Sequence, residues 1–247
     1  MKETRYFFVP DAAASGELPE EEARHAIRVL RLAVGDELVL MDGKGCFHEA
    51  EISAISSHRC LYRILRSLPQ ERGWQGRIRI CMAPTKMMER TEWMAEKATE
   101  IGMDELTFLE CRRSERRTMK LERIRRIVVA AMKQSRKAWM PSLQGMTPFE
   151  ELVADGRTGD KFICHCYDPA DFGPDEEKPL LWDVLRRDVE TTVLIGPEGD
   201  FSIDEVKLAM RHGFRSVSLG HSRLRTETAA LAAVHIMQLK ASLKPIY

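Results

Sequence analysis

The pattern of hydrophobic and polar positions changes character about a third of the way along the chain. The first seventy residues read mostly as β-structure. Arg5 to Val9 predicts a short strand, and Glu20 to Leu30 a helix with Ala23, Ile27 and Leu30 on one face. Gly35-Asp36 marks a turn, Glu37 to Met41 a strand, and Asp42-Gly43-Lys44-Gly45 a hairpin-type loop. Phe47 to Ile55 and Cys60 to Leu68 continue the β pattern. Together these predict a small barrel with one helix. The polar, turn-rich run Pro69-Gln70-Glu71-Arg72-Gly73 reads as a linker.

Beyond it, strands alternate with helices. Arg77 to Met82, Glu105 to Leu109, Phe162 to Cys166 and Thr192 to Ile195 predict strands, with Val217 on the last one. Lys86 to Ile101 predicts a helix whose Met87, Met94, Ala98 and Ile101 are apolar at helical spacing. Leu121 to Trp139, Leu180 to Arg187, Ser202 to His212 and Glu227 to Leu243 predict the others, and Ser202 with Glu205 forms a capping box. Alternation of this kind implies a parallel sheet covered on both faces. Asp168 to Lys178 is acidic and proline-bearing and reads as a surface loop.

At 247 residues the chain fits one large domain or two small ones. Its formal net charge is zero, so any nucleic-acid footprint must come from local clustering. The six cysteines form no C-x-x-C pair; Cys164-His165-Cys166 is too tightly spaced for a usual zinc site and reads as buried thiols on a strand. No metal is expected. The N-terminus lacks an apolar signal core and no apolar stretch is long enough to span a bilayer, which makes the cytoplasm the expected compartment. Dinucleotide, phosphate-loop, serine-hydrolase and metalloprotease signatures are all missing, so those activities lose their usual anchors.

Charge does cluster locally. Between Arg112 and Arg126 stand eight basic residues and two acidic ones, Glu115 and Glu122, a local net of +6. Phosphate backbones attract such a run; the alternative is a solvated helix face with pairs such as Glu122–Arg126. Lys133, Arg136 and Lys137 extend it. A second cluster places Arg24, Arg28 and Arg31 on one helical face. His25 beside it reads as a structural histidine.

Two glycine-centred turns carry the most information: Ile195-Gly196-Pro197-Glu198-Gly199-Asp200, and Leu219-Gly220 through Leu224-Arg225-Thr226-Glu227-Thr228-Ala229. Each follows an apolar β-type run and leads into a helix. Such turns can lie side by side at one edge of a parallel sheet, where open α/β sheets bind ligands. Glycine there lets backbone groups reach a small molecule. Arg225 and Glu227 flank Thr226 and are as ready to pair with each other as to touch a substrate.

At these residues the chain resembles the RsmE-type methyltransferases of the SPOUT superfamily, which methylate N3 of a uridine in small-subunit (16S) ribosomal RNA. The resemblance extends to Arg5-Tyr6-Phe7, to His25 with Val29-Leu30-Arg31-Leu32, to Gly35-Asp36 and to Asp42-Gly43-x-Gly45. It includes Lys97-Ala98-Thr99-Glu100-Ile101-Gly102, Gln134-Ser135 and Pro141. It implies an α/β fold: a PUA-like RNA-binding β-barrel over residues 1–70, then a SPOUT domain over 75–247 with a parallel sheet and a C-terminal trefoil knot. It also implies S-adenosylmethionine as cofactor and an obligate homodimer. By carry-over, Leu194, Gly196, Glu198, Gly199, Leu219, Gly220, Leu224, Arg225, Thr226 and Thr228 should lie at or near the cofactor. The chain departs from the pattern at Asp200, where many members have glycine, and at Lys133-Gln134 and Arg136-Lys137, where Glu-Gln and Gly-Arg are frequent.

Uracil N3 carries a proton at neutral pH and lies on the pairing edge, so the reaction needs alignment, a base or anion stabiliser, and an unpaired or flipped uridine. Arg225 is the first candidate to stabilise the uracil anion, and Glu198 the first candidate for base or ribose ligand. Arg5, Arg24, Arg28, Arg31, Arg112, Arg113, Arg116 and Lys137 are the expected RNA contacts, with an assembled small subunit as the expected substrate. The rivals are a non-enzymatic RNA-binding assembly factor, a SPOUT methyltransferase acting on another RNA, and a hydrolase using Glu198.

Overall fold

The computed structural model describes residues 5–173 and 176–243. Its residues group into two compact units, one of residues 1–72 and 129–140, the other of 73–128 and 141–247.

The first unit holds a four-stranded sheet in the order β1 (Tyr6–Phe8), β2 (Glu37–Met41), β3 (Cys46–Ile55) and β4 (Cys60–Pro69). The β1–β2 pair is parallel and the other two pairs are antiparallel. Alternation in β2 and β3 sends Leu38, Leu40, Ala50 and Ile52 inward, where they meet Phe7 and Tyr62. Two register shifts between β3 and β4 bend the ladder. A short helix α1 (Ala12–Ser15) is fixed by the buried Tyr62 hydroxyl, which donates to the Ala12 carbonyl at 2.8 Å. Helix α2 (Glu20–Arg24) runs on into a π-helical turn, His25–Val29, and buries Ala23 and Ala26. The expected barrel is thus an open ladder in its strand pairing, with an isolated Glu17–Leu61 bridge beside β4.

The second unit is a six-stranded, all-parallel sheet. Its strands in chain order are β5 (Ile78–Met82), β6 (Glu105–Glu110), β7 (Ser142–Pro148), β8 (Asp160–Cys164), β9 (Thr191–Ile195) and β10 (Arg215–Val217). Across the sheet the order is β10-β8-β9-β5-β6-β7. Every residue of β9 is buried, as a strand covered on both faces requires. Helices α5 (Phe149–Ala154) and α7 (Ile203–Arg211) pack together around Phe149, Phe201 and Phe214. Helices α3 (Met88–Ile101) and α8 (Thr226–Ser242) pack against each other, and α8 lies on β5 and β9.

Five elements from α4 onward differ from the sequence expectation. Helix α4 (Leu121–Ser135) stops four residues before Trp139. Arg136 there takes a left-handed φ of 54°, and the Lys137 N–H returns to the Met132 carbonyl at 3.0 Å, the bond of a Schellman stop. Glycine is the usual residue at that position. Strand β7 and helix α5 have no counterpart in the hydrophobic pattern, because β7 is an edge strand of mixed exposure carrying Gly145 and Pro148. Strand β8 begins two residues earlier than the apolar run suggests. Helix α6 (Leu181–Val184) is a single turn.

Candidate functional site

A crevice of about 860 Å³ opens at the C-terminal ends of β8, β9 and β10. The sheet order explains its shape. Strand β8 lies between β9 and β10, so the two glycine turns flank the end of β8 instead of touching edge to edge. Carboxyl ends of parallel strands are where α/β sheets hold ligands.

The turn after β9 forms one wall and is pinned at nearly every residue. Glu198 accepts the Lys86 N–H at 2.9 Å, which ties the turn to the loop before α3. Asp200 sits at a left-handed φ of 63°, where glycine is commoner, and its carboxylate accepts the N–H groups of Cys166 and Phe201, both at 2.8 Å. Those two bonds explain how aspartate is held in a conformation it adopts less readily than glycine. Arg113 donates to the Gly199 carbonyl at 2.9 Å and to the Tyr167 hydroxyl at 2.9 Å. Helix α7 then starts on the expected capping box: Ser202 accepts from Glu205 N–H, and Glu205 accepts from Ser202 N–H at 2.7 Å. A Cβ on Gly196 would lie 3.0 Å from the Phe201 nitrogen, so any larger residue would push into this wall.

The opposite wall, Ser218 to Arg225, is held more lightly. Ser218 exchanges hydrogen bonds with Gly220 at 3.1 Å, and its backbone pairs with Pro179 and Leu181. Residues 220–223 are exposed. Arg225 occupies the N-cap position of α8 without a side-chain cap, and its exposed guanidinium has no ion pair or hydrogen bond among the described residues.

The floor comes from the end of β8. His165 is 7% exposed, its Nε2 lies 2.9 Å from Ser216 Oγ, and its ring packs against Tyr167 and Phe172. Burial, aided by the nearby Lys178 charge, pulls its pKa down to about 4. Its Nδ1 is buried without a hydrogen-bond partner. Lys178 donates to the carbonyls of His165 and Tyr167. Burial pushes Cys164 up to about 12, whereas Cys166 lies past the end of β8 and is exposed, so the tripeptide does not form the expected buried thiols on a strand.

Glu227, in the first turn of α8, completes the crevice. It is 7% exposed, yet its carboxylate accepts no hydrogen bond among the described residues. Oε1 stands 3.7 Å from Arg90 on α3, and Oε2 is buried with no partner. Glu227 therefore faces Arg90, not Arg225. A buried acceptor left unpaired costs about 1–3 kcal/mol, and more when charged.

The structure brings Gly196, Glu198, Gly199, Leu219, Gly220, Leu224, Arg225 and Thr226 together around this crevice. Leu194 lies fully buried in the core beneath it, and Thr228 faces outward, one residue short of lining Ala229. Sequence reasoning missed Arg90, His165 and Lys178 as wall residues. The Cys164-His165-Cys166 tripeptide was the available signal, but its meaning depends on β8 lying between β9 and β10.

The basic residues divide into engaged and free. Arg112 pairs with Asp204 at 3.3 Å, Arg113 braces Gly199, and Arg116 donates to the Lys86 carbonyl at 2.7 Å. These three arginines tie the second unit's loops together. Lys120, Arg125 and Arg126 are exposed and unpaired among the described residues. In the first unit Arg24 pairs with Glu20 at 2.8 Å and Arg5 donates to the Leu30 carbonyl, whereas Arg28 and Arg31 are exposed and free. Lys133 is spent on Glu22 at 2.7 Å, Lys137 is half-buried and unpaired, and His25 packs on the Phe7 ring. Asp42, Cys46 and His48 bring metal-type donors within 4.8 Å of one another. They do not converge on one imidazole nitrogen. Cys46 approaches Nδ1, which is bonded to Ser67, while Asp42 approaches Nε2 and caps the Lys44 and Cys46 N–H groups.

Comparison with known proteins bears on what this crevice holds. Residues 72–238 match the RNA methyltransferase domain family, and residues 18–65 match the RNA methyltransferase PUA domain. The solved structure of a probable rRNA-methyltransferase from Porphyromonas gingivalis is similar at 40% identity and TM-score 0.89, covering 96% of this chain and 98% of that one. Ribosomal RNA small subunit methyltransferase E from Neisseria gonorrhoeae, solved bound to S-adenosyl methionine, is similar at 27% identity and TM-score 0.82, with the same two coverages of 96% and 98%. The protein of that name from Mycobacterium bovis is 29% identical over 243 residues, covering 92% of this chain and 87% of its own length. Among the described residues no helix is long and apolar enough to cross a membrane.

Proposed function

The chain belongs to the RNA methyltransferase family, and from that premise we propose that it is an S-adenosylmethionine-dependent methyltransferase of small-subunit ribosomal RNA, acting on N3 of a uridine. One observation carries the proposal: two glycine turns flank the end of β8 and open a single crevice whose walls combine backbone groups with Arg225 and Glu227.

The residues present fit the cofactor. The crevice volume of about 860 Å³ lies within the roughly 300–1,000 Å³ range of small-molecule sites. Gly196, Glu198 and Gly199 on one wall and Leu219, Gly220, Leu224 and Thr226 on the other would hold it, with backbone groups at the three glycines left open to a small molecule. When bound, S-adenosylmethionine supplies an electrophilic methyl group on a sulfonium. The protein's part is to exclude water, align the base and stabilise the charge that develops on it. Alignment alone supplies about 7–11 kcal/mol. Arg225, free and exposed at the crevice mouth, stabilises negative charge at a uracil carbonyl oxygen. Glu198 serves as a cofactor-side residue held in place by Lys86.

We assign RNA binding to the PUA-like first unit through Arg28 and Arg31, and to Lys120, Arg125 and Arg126 of the second unit, with an assembled small subunit as substrate. Dimerisation through α3 and α8, which leave Trp93 and Leu239 exposed, with exposed Met87 at the N-cap of α3, and a C-terminal trefoil knot complete the reading. Calorimetry with S-adenosylmethionine, followed by mass mapping of modified uridines in ribosomal RNA with and without the protein, tests it. Saturable binding and one lost methyluridine are expected. Absence of cofactor binding would leave an RNA-binding assembly factor in its place.

A further inference from the structure

We propose that Glu227 is the proton acceptor for uracil N3, an inference that rests on the uridine-N3 reading above. Elimination among the carboxylates lining the crevice points to it. Three carboxylates line the walls: Glu198, Asp200 and Glu227. Glu198 is exposed and already accepts the Lys86 N–H. Asp200 already accepts two backbone N–H groups. Glu227 alone is buried and accepts none. His165 also has an unpartnered nitrogen, but its ring is fixed by Ser216 and two aromatic neighbours at the floor.

A nearly buried carboxylate without a donor is a site missing one N–H. Uracil N3–H has that chemistry. Arg90, at 3.7 Å from Oε1, is the positioning residue, because it holds one side of the carboxylate and leaves the other without a protein donor. Position on the first turn of α8 places Glu227 two residues from Arg225, so an acceptor for the proton and a cation for the developing anion come from one helix start. A carboxylate is a weak base toward a uracil, so the proton moves as the new bond forms. It passes from N3 to a Glu227 oxygen. The pair that held it becomes the pair with which N3 bonds the methyl carbon, and the methyl–sulfur pair stays on sulfur. The resulting carboxylic acid then loses the proton to water.

Glu227→Gln and Glu227→Asp test this, with melting curves to establish that each variant folds. The RNA probes are unmodified small-subunit ribosomal RNA, with the methylated uridine located first by mass mapping, and the same transcript carrying cytidine at that position. Cofactor affinity by calorimetry should stay close to the parent's, while methylation by Glu227→Gln falls about a hundredfold or more. Binding without cofactor gives a second readout. The parent should prefer the uridine RNA by roughly tenfold or more, because cytosine N3 brings no proton to the carboxylate. Glu227→Gln, whose amide can donate, should lose that preference. A merely structural glutamate would leave the preference unchanged, and that result overturns the proposal. So does methylation near the parent rate, or a large loss of cofactor affinity, which would make Glu227 a cofactor ligand. Should Glu227→Gln not fold, Glu227→Asp serves instead: it keeps the acceptor, so the uridine preference should persist while the longer reach to N3 lowers the rate, and an unchanged rate or a lost preference overturns the proposal. Failure of the parent itself to bind S-adenosylmethionine or methylate uridine removes the functional reading instead, and is seen before any variant is made.

Discussion

The two walls of the crevice are built on opposite plans. The turn after β9 is locked from several sides: Glu198 by Lys86, Asp200 by Cys166 and Phe201, Gly199 by Arg113, and Ser202 by its capping box. The turn after β10 carries one Ser218–Gly220 exchange, an exposed stretch and an uncapped Arg225. A wall fixed before the ligand arrives loses little entropy on binding, which favours affinity. A wall with slack can close on a ligand and bring a charge with it. On the function proposed above, the first wall is suited to seat the methyl donor, and the second to close over it and respond to the base.

That contrast can be broken at named residues. Arg225→Ala removes the cation from the loose wall and should reduce methylation by about a hundred- to a thousandfold, with cofactor affinity by calorimetry little changed; near-normal rates would take Arg225 out of the chemistry. Acid should strike the floor next. His165 is held at a pKa of about 4 in the folded chain, below its ordinary 6.5. The unfolded chain therefore binds a proton first, and stability is lost as pH falls from about 6.5 toward about 4, by roughly 3 kcal/mol in all. Melting curves of His165→Gln across that window should be flatter than the parent's.

The glycines separate the walls further. Gly196→Ala forces a Cβ to within 3.0 Å of a pinned backbone nitrogen and should destabilise by about 1–3 kcal/mol in chemical denaturation. Gly220→Ala meets no atom within 4 Å, but its φ of +124° disfavours any side chain, at a cost of about 1 kcal/mol that the loose turn can relax. Equal losses at the two positions would contradict the contrast. Glu198→Gln keeps an acceptor for Lys86 N–H, so its stability in chemical denaturation should stay near the parent's, with any cost confined to cofactor affinity in calorimetry.

Much of the site was legible because its chemistry lies in contiguous turns. Gly196 to Gly199 and Leu219 to Thr226 announce themselves by glycine after an apolar run, and Ser202 with Glu205 by local spacing. What stayed hidden depends on strand order. Arg90 and His165 reach the crevice only because β8 lies between β9 and β10 and α8 packs on α3. No periodicity encodes that. The basic run from Arg112 to Arg126 was visible as charge, but Arg112, Arg113 and Arg116 turn out to hold loops. Composition does not distinguish a guanidinium that meets phosphate from one that meets a carbonyl. Strand β7 was hidden by its edge position, and the end of α4 by an arginine standing where glycine would have marked the stop.

The first compact unit draws residues 129–140 from far along the chain. Within it the Gly45 N–H donates to the Ala138 carbonyl, the Met140 N–H to the Gly43 carbonyl, and Lys133 to Glu22. During synthesis, therefore, the small sheet emerges from the ribosome early but waits for its last segment until β5, β6 and α4 have been translated. Nascent chains released before residue 140 should leave that unit unfinished, so its assembly is timed by translation of its neighbour.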